Sequence, residues 1–466
     1  MAELVDALGL GSSSRKGNGG SSPSSCTKKS GKMVKSGAAP LQAHVRYDQV
    51  TALGFVDISI QSKIIEALYK HTLLLQKNVC SPIGFYQKHA PMQYLDVYYK
   101  EHLINHLKEF LLKYCVVSYL YQTLRTNHIL YTGEPRLHAI DIHPGRNACY
   151  TFTFTPLPAT PIRDWRYLLF RAPQRKRYKD IDKQAQNFIV EENMYRQNNI
   201  TPGIKSGDWV LFSVILLNKQ NNPIVKDLYE YLWIKISDEE TNQPFHELFL
   251  GKVKGDRFVS DALCLHEYFS NQIDTQYTFG VTIKEVLPYA YFCLESFKNQ
   301  FKLKTDRKLH QKIVEIYSSR NDLSLRRALV EEALATLLRI YPVQTPESAV
   351  LRQEKMLREE LQHNPDYTVY KLQPDFNQKV RSLAHKQVQE HLLLTHIAIH
   401  ERVDVEDNDV YAYLNLTKRP RTKEFIYYLH PAIRANEDEI PISHESLKNV
   451  CVHEKILNHV LHHLMQ

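Results

Sequence analysis

Glycine is scarce where this chain must fold. Seven of its 16 glycines precede position 38, which leaves nine across the last 429 of 466 residues. Glycine supplies the left-handed backbone of tight turns, so such a chain cannot be built mainly from short strands joined by hairpins. With its wealth of Leu, Tyr and His it reads as largely helical, with few tight turns. Hydrophobic residues make up 43% and charged residues 24%, the make-up of a globular body long enough for two to four domains.

Residues 1–46 are read as a disordered tail, rich in Ser, Gly and Lys. The opening M-A-E-L-V-D-A-L-G-L-G-S-S-S-R-K-G looks like translated transfer-RNA gene sequence, and Met33 is the expected start. Net charge is +8, of which the first 32 residues contribute +3. The remaining excess suits a solvated surface and permits transient contact with RNA. Cys26, Cys80, Cys115, Cys149, Cys264, Cys293 and Cys451 are scattered singly, with no C-x-x-C. That pattern predicts neither a disulfide framework nor a zinc site, and fits a reducing cytoplasm. No apolar run approaches the roughly 18 residues that cross a bilayer, and no secretory signal is expected.

A strand is expected within Val50 to Ile60, then a helix capped by Ser62 with Ile64, Ile65, Leu68, Thr72 and Leu75 at helical spacing. A loop follows over 79–91, and helical spacing resumes through Leu95, Leu103, Leu107, Leu111 and Tyr114. Tyr150-Thr-Phe-Thr-Phe-Thr155 alternates strictly, as a half-buried strand does. Past a basic run (Arg175, Lys176, Arg177, Lys179) and a predicted connecting helix over 180–197, the texture changes. Four strand-like runs (209–217, 229–236, 256–263 and 277–286) and a short helix near 244–250 define a compact α+β module. From Pro288 onward helices dominate. Thr345, Pro346 and Glu347 sit in N-cap, N1 and N2 places, Val380 to Leu392 marks a long helix, and Ser443 precedes a stripe of Leu447, Cys451, Leu457, Val460, Leu461 and Leu464.

This order resembles the trigger factor family from about residue 47 to the C-terminus, and four segments carry the resemblance. Ile83-Gly-Phe-Tyr-Gln-Lys-His-Ala-Pro91 stands where the family has its docking signature G-F-R-x-G-K-x-P. Gly84, Phe85 and Pro91 match, while Tyr86 replaces the family's arginine, Lys88 its second glycine and His89 its lysine. Gly133-Glu-Pro-Arg-Leu, the alternating strand and Pro161-Ile-Arg-Asp-Trp-Arg-Tyr-Leu168 resemble the end of the docking domain. Gly207-Asp208, Gly251, Gly255 and Phe258 resemble the family's FKBP-type prolyl isomerase insert. Tyr341-Pro-Val-Gln-Thr-Pro-Glu-Ser348 resembles the segment that opens a helix of the C-terminal body.

The resemblance implies a multidomain α+β protein. It places a small α/β ribosome-binding domain at 47–165, a linker with its connecting helix at 166–200, an FKBP-like insert at 201–288 and a large all-helical C-terminal body with arms at 289–466. It implies an ATP-independent cytoplasmic chaperone whose docking residues are Gly84, Phe85, Tyr86, Lys88, His89 and Pro91. Its partners would be the large ribosomal subunit near the tunnel exit, through ribosomal protein and RNA, and unfolded nascent polypeptides, with no membrane, DNA or cofactor. In the insert the family's pocket motif I-P-G-F falls on Asn242-Gln-Pro-Phe245, and Val214 stands where an aromatic residue is expected. Trp233, Phe245 and Phe279 are the candidates to line a prolyl pocket. An asparagine there puts an amide where proline needs apolar contact, so weak or no isomerase activity is expected.

No phosphate-binding glycine motif appears in the folded part. His453, His459, His462 and His463 lack cysteine or carboxylate partners at ligand spacing, so core or solvated roles are expected. Three readings stay open beside the holdase: an active prolyl isomerase whose helices deliver clients, a SurA-like chaperone, and a basic RNA-binding protein.

Overall fold

The computed structural model describes residues 40–157, 162–171, 203–236, 243–269, 277–288, 323–362, 367–417 and 441–464, single positions excepted, with isolated residues between. The chain is a mixed α and β protein, about half helical. Most of the expected connecting helix at 180–197, the basic run 175–179 and Asn242 lie outside the described residues.

The first element corrects the tail expectation. Strand β1 (Leu41–Asp48) pairs antiparallel with β2 (Leu53–Ile60), Leu41 opposite Ile60. Leu41, Ala43, Val45 and Tyr47 alternate with polar residues, a period-2 signal overshadowed by the Ser/Gly-rich run before it. With β3 (Tyr131–Asp141) and β4 (Ala148–Pro156) they form an antiparallel sheet in the order β1-β2-β4-β3. Helices α1 (Ser62–Val79), α2 (Met92–Leu111) and α3 (Val117–Thr126) supply the rest of this region's core. A π-helical turn, Leu112–Val116, joins α2 to α3 and lets Tyr114, Cys115 and Val116 be buried in succession. Ser62 does not cap α1: Gln61 is the N-cap, and the Ser62 amide donates to Asn147 Oδ1 at 2.8 Å.

The four expected strands and the short helix near 244–250 form, and an unexpected second helix follows the third strand. β5 (Trp209–Leu217), β6 (Glu230–Lys235), β7 (Arg257–Ser260) and β8 (Thr278–Leu287) are joined by helices α4 (Gln243–Phe249) and α5 (Leu263–Phe269). The sheet has five strands, because the two-residue strand Ile442–Ser443, arriving from the far end of the chain, pairs with β6. Gly203 meets Gly251 so closely that a Cβ on Gly203 would stand 2.9 Å from the Gly251 carbonyl oxygen.

Neither face of that sheet is free. Val210, Phe212 and Val214 face inward to one core that also holds Phe110 and Leu111 of α2 and Tyr114 of the π-helical turn. Trp209, Leu211 and Trp233 face the other way, onto Val410, Leu414 and Leu447. This explains the run Trp-Val-Leu-Phe-Ser-Val-Ile-Leu-Leu in β5, which no one-sided strand needs. The sequence suggested a self-contained module; in the structure its burial is completed from both neighbours.

The C-terminal region holds α6 (Leu323–Ile340), α7 (Glu347–Gln362), α8 (Tyr367–Lys371), α9 (Phe376–His400), α10 (Asp407–Thr417) and α11 (His444–Leu464). It is not wholly helical: Arg434–Ala435 pairs with Asp438–Glu439, and Ile442–Ser443 completes the insert's sheet. The predicted stripe on α11 is buried throughout. The Pro346 carbonyl accepts the amides of Ala349 and Val350, so α7 begins one residue later than a Thr345 cap requires, and the Thr345 hydroxyl bonds His385 Nε2 at 2.8 Å instead. Ile162 and Trp165 pack into this body, and Trp165 Nε1 donates to Glu401 Oε1 at 3.1 Å.

Candidate functional site

The six docking candidates fall in one place, the turn between α1 and α2. Its ends are anchored by buried Pro82 and Ala90. Two successive turns shape it, closed by Phe85 N to Pro82 O and His89 N to Tyr86 O, both 3.0 Å. Gln87 Nε2 reaches back to the carbonyls of Asn78 (2.9 Å) and Val79 (3.2 Å), satisfying acceptors that end α1. Tyr69 of α1 donates to Asp96 of α2 at 2.7 Å, tying the two helices together below the turn.

The turn requires two left-handed residues, Gly84 at φ +87° and Lys88 at φ +70°. Lys88 stands where the family pattern carries its second glycine, and it holds the glycine conformation with a side chain attached. Left-handed backbone costs a non-glycine residue roughly 1–2 kcal/mol. Residues 81–91 contain no carboxylate, so Lys88 supplies the turn's formal charge.

Outward from this frame, Tyr86 is 87% exposed and Phe85 37%. The Phe85 ring leans on Tyr94 at 5.0 Å, Tyr94 stacks on Tyr98 at 5.7 Å, and Tyr98 meets Tyr99 edge-on at 4.8 Å. Sequence reasoning missed this ladder; the signal was the four-residue spacing of Tyr94, Tyr98 and His102 on one helical face. With Ile83 and Val97, also exposed, it makes a contiguous aromatic and aliphatic surface beside a cation.

The three prolyl-pocket candidates are not brought together. Phe245 and Phe279 belong to the inner core, whereas Trp233 lies on the opposite face of the sheet and donates its Nε1 proton to His444 Nδ1 at 2.9 Å. Strand alternation separates them. Phe279 is fully buried, and the Val214 carbonyl accepts the Tyr114 hydroxyl at 3.3 Å, so among the described residues no aromatic bowl opens there.

The four late histidines are structural neighbours of other rings. His453 stacks on His391 at 4.1 Å, while His459 and His463 flank Trp165. Among the described residues no group of three or more His, Cys, Asp or Glu is placed to hold a metal ion, and no helix is long and apolar enough to cross a membrane.

The chain thus combines a mixed α and β fold with a helix-borne aromatic turn and a C-terminal region that is mainly helical among the described residues. Residues 305–424, about a quarter of the chain, match the family model described as bacterial trigger factor protein (TF) C-terminus. No curated protein matches the chain. A solved structure described as "Promiscuous Substrate Recognition in Folding and Assembly Activities of the Trigger Factor Chaperone" is 14% identical, covering 90% of this chain and 99% of that one, with a TM-score of 0.33.

Proposed function

We propose that the chain is an ATP-independent cytoplasmic chaperone that docks on the large ribosomal subunit near the tunnel exit through residues 80–91 and shelters nascent polypeptides. The observation that carries this reading is the turn itself: Phe85 and Tyr86 are held outward on a rigid helical hairpin, with Lys88 beside them and no carboxylate within 81–91. Such a turn can set an aromatic ring in a protein crevice and a cation on RNA phosphate. Exposed apolar side chains on α7 and α8, namely Leu351, Met356 and Val369, support weak and multiple contacts with unfolded segments. Binding of that kind is released by fast dissociation and needs no chemical energy.

The test is co-sedimentation with 70S ribosomes at moderate salt, alongside aggregation of a denatured client. Wild type is expected to pellet and to delay aggregation. Phe85→Ala with Lys88→Ala is expected to stay in the supernatant while still delaying aggregation. A wild-type protein that does neither would end the proposal.

A prolyl isomerase role needs Phe245 and Phe279 to become accessible. A proline-peptide assay comparing wild type with Phe245→Ala decides it.

A further inference from the structure

The contact that covers the insert's inner face contains more ionisable chemistry than a permanent core needs. Tyr277, one residue before β8, is buried, with its hydroxyl 2.9 Å from Thr72 Oγ1 and 2.8 Å from His106 Nε2. Thr72 Oγ1 also donates to Leu68 O at 2.8 Å. One proton order satisfies the chain: His106 Nε2–H to Tyr277, Tyr277 O–H to Thr72, Thr72 O–H to Leu68.

Three imidazoles surround the phenol: His71 of α1 at 6.2 Å, His106 of α2 at 5.5 Å and His266 of α5 at 6.5 Å between ring centres. The Tyr277 amide donates to His266 Nδ1 at 3.3 Å, which leaves the ring proton on Nε2. That Nε2, His71 Nε2 and Gln76 Oε1 are buried without a hydrogen-bond partner among the described residues. An apolar seam continues the contact, with Phe110 of α2 lying 4.8 Å from Tyr277 and 5.6 Å from Phe269 of α5.

We propose that the insert is an acid-released cover: protonation of His71, His106 and His266 around Tyr277 parts it from α1 and α2 and opens the face of Phe110, Phe269 and Phe279 to unfolded apolar chain segments. The identity of that occupant rests on the chaperone reading; the release does not. An imidazolium at any of these positions is a buried charge. The described groups acting on the rings are Lys219 on His71, His102 and His266 on His106, and Asp261 on His266, so a carboxylate faces one of the three. Burial holds all three below the ordinary imidazole value of 6.5, His106 at about 4. In the parted state the His106 ring takes up a proton near 6.5, whereas in the closed state it resists until about 4, and burial lowers His71 and His266 in the same direction. Closure is therefore undiminished above pH 6.5 and weakens as pH falls towards 4. Between pH 7.5 and 5.0, His106 alone shifts the balance about 30-fold towards the open form.

Amide exchange of the full chain at pH 7.5 and 5.0, corrected for intrinsic rates, tests this. Segments 103–116 and 278–287 are expected to lose protection together by at least about 30-fold at pH 5.0, while 148–156 in the neighbouring sheet keeps its own. His106→Gln, which keeps a donor for Tyr277 but cannot titrate, should blunt the response, and Tyr277→Phe should open the contact already at pH 7.5. Should a variant misfold, the 148–156 control reveals it and the wild-type pH profile still decides. Protection retained at both pH values, its loss uniformly along the chain, or a folded His106→Gln that responds like wild type would each overturn the release. Opening without stronger binding of a denatured test polypeptide at pH 5.0 would overturn the assigned occupant. Neither outcome bears on ribosome docking.

Discussion

Trp233 Nε1 donates to His444 Nδ1 at 2.9 Å, so the insert's sheet and the last helix are joined through one buried imidazole. The bond fixes the tautomer: His444 Nδ1 accepts, leaving Nε2 to donate to Asp407 Oδ1 at 3.1 Å. Trp233→Phe leaves that acceptor buried and unpaired. It is expected to cost about 1–3 kcal/mol in urea unfolding. Burial and Lys448 hold His444 below its ordinary value, so its contribution is whole above pH 6.5 and declines as pH falls. A Trp233→Phe protein as stable as wild type would discount the bond.

Glu230 shows the opposite pH dependence. Buried beside Ser118, which donates to its Oε1 at 2.5 Å, it is pushed up to about 8 by loss of solvent. The unfolded chain releases this proton near 4.5 and the folded chain near 8. Stability is therefore full below 4.5 and is lost as pH rises towards 8. Glu230→Gln removes the ionisation and keeps the acceptor. It should gain about 4 kcal/mol at pH 7.5, read as a flatter pH profile of the unfolding midpoint.

At Lys88 the turn's conformation and its charge pull apart. Lys88→Gly relieves a left-handed lysine and should raise stability by about 1 kcal/mol. If the cation contacts RNA phosphate, the same change lowers ribosome co-sedimentation and flattens its salt dependence. Equal pelleting of both proteins across salt concentrations would remove Lys88 from the docking surface.

Gly203 adopts φ +119°, and any Cβ there meets the Gly251 carbonyl. Gly203→Ala is expected to destabilise by more than about 2 kcal/mol, whereas the same change at Gly145, which has open space around it, should cost about 1 kcal/mol. Thermal unfolding of the two variants compares them directly.

Local pattern was enough to place most elements. Alternation in 150–155 and the runs at 209–217 and 277–286 mark strands because side-chain period follows from backbone geometry. The stripe on α11 and the turn at 80–91 follow from helical spacing and its interruption. What the amino-acid order could not settle was which residues distant in the chain meet. The two-faced burial of β5, the pairing of Ile442–Ser443 with β6, the separation of Trp233 from Phe279 and the histidines around Tyr277 all join segments that lie far apart in sequence. Periodicity assigns a residue to a face. Only packing of whole elements decides what that face meets.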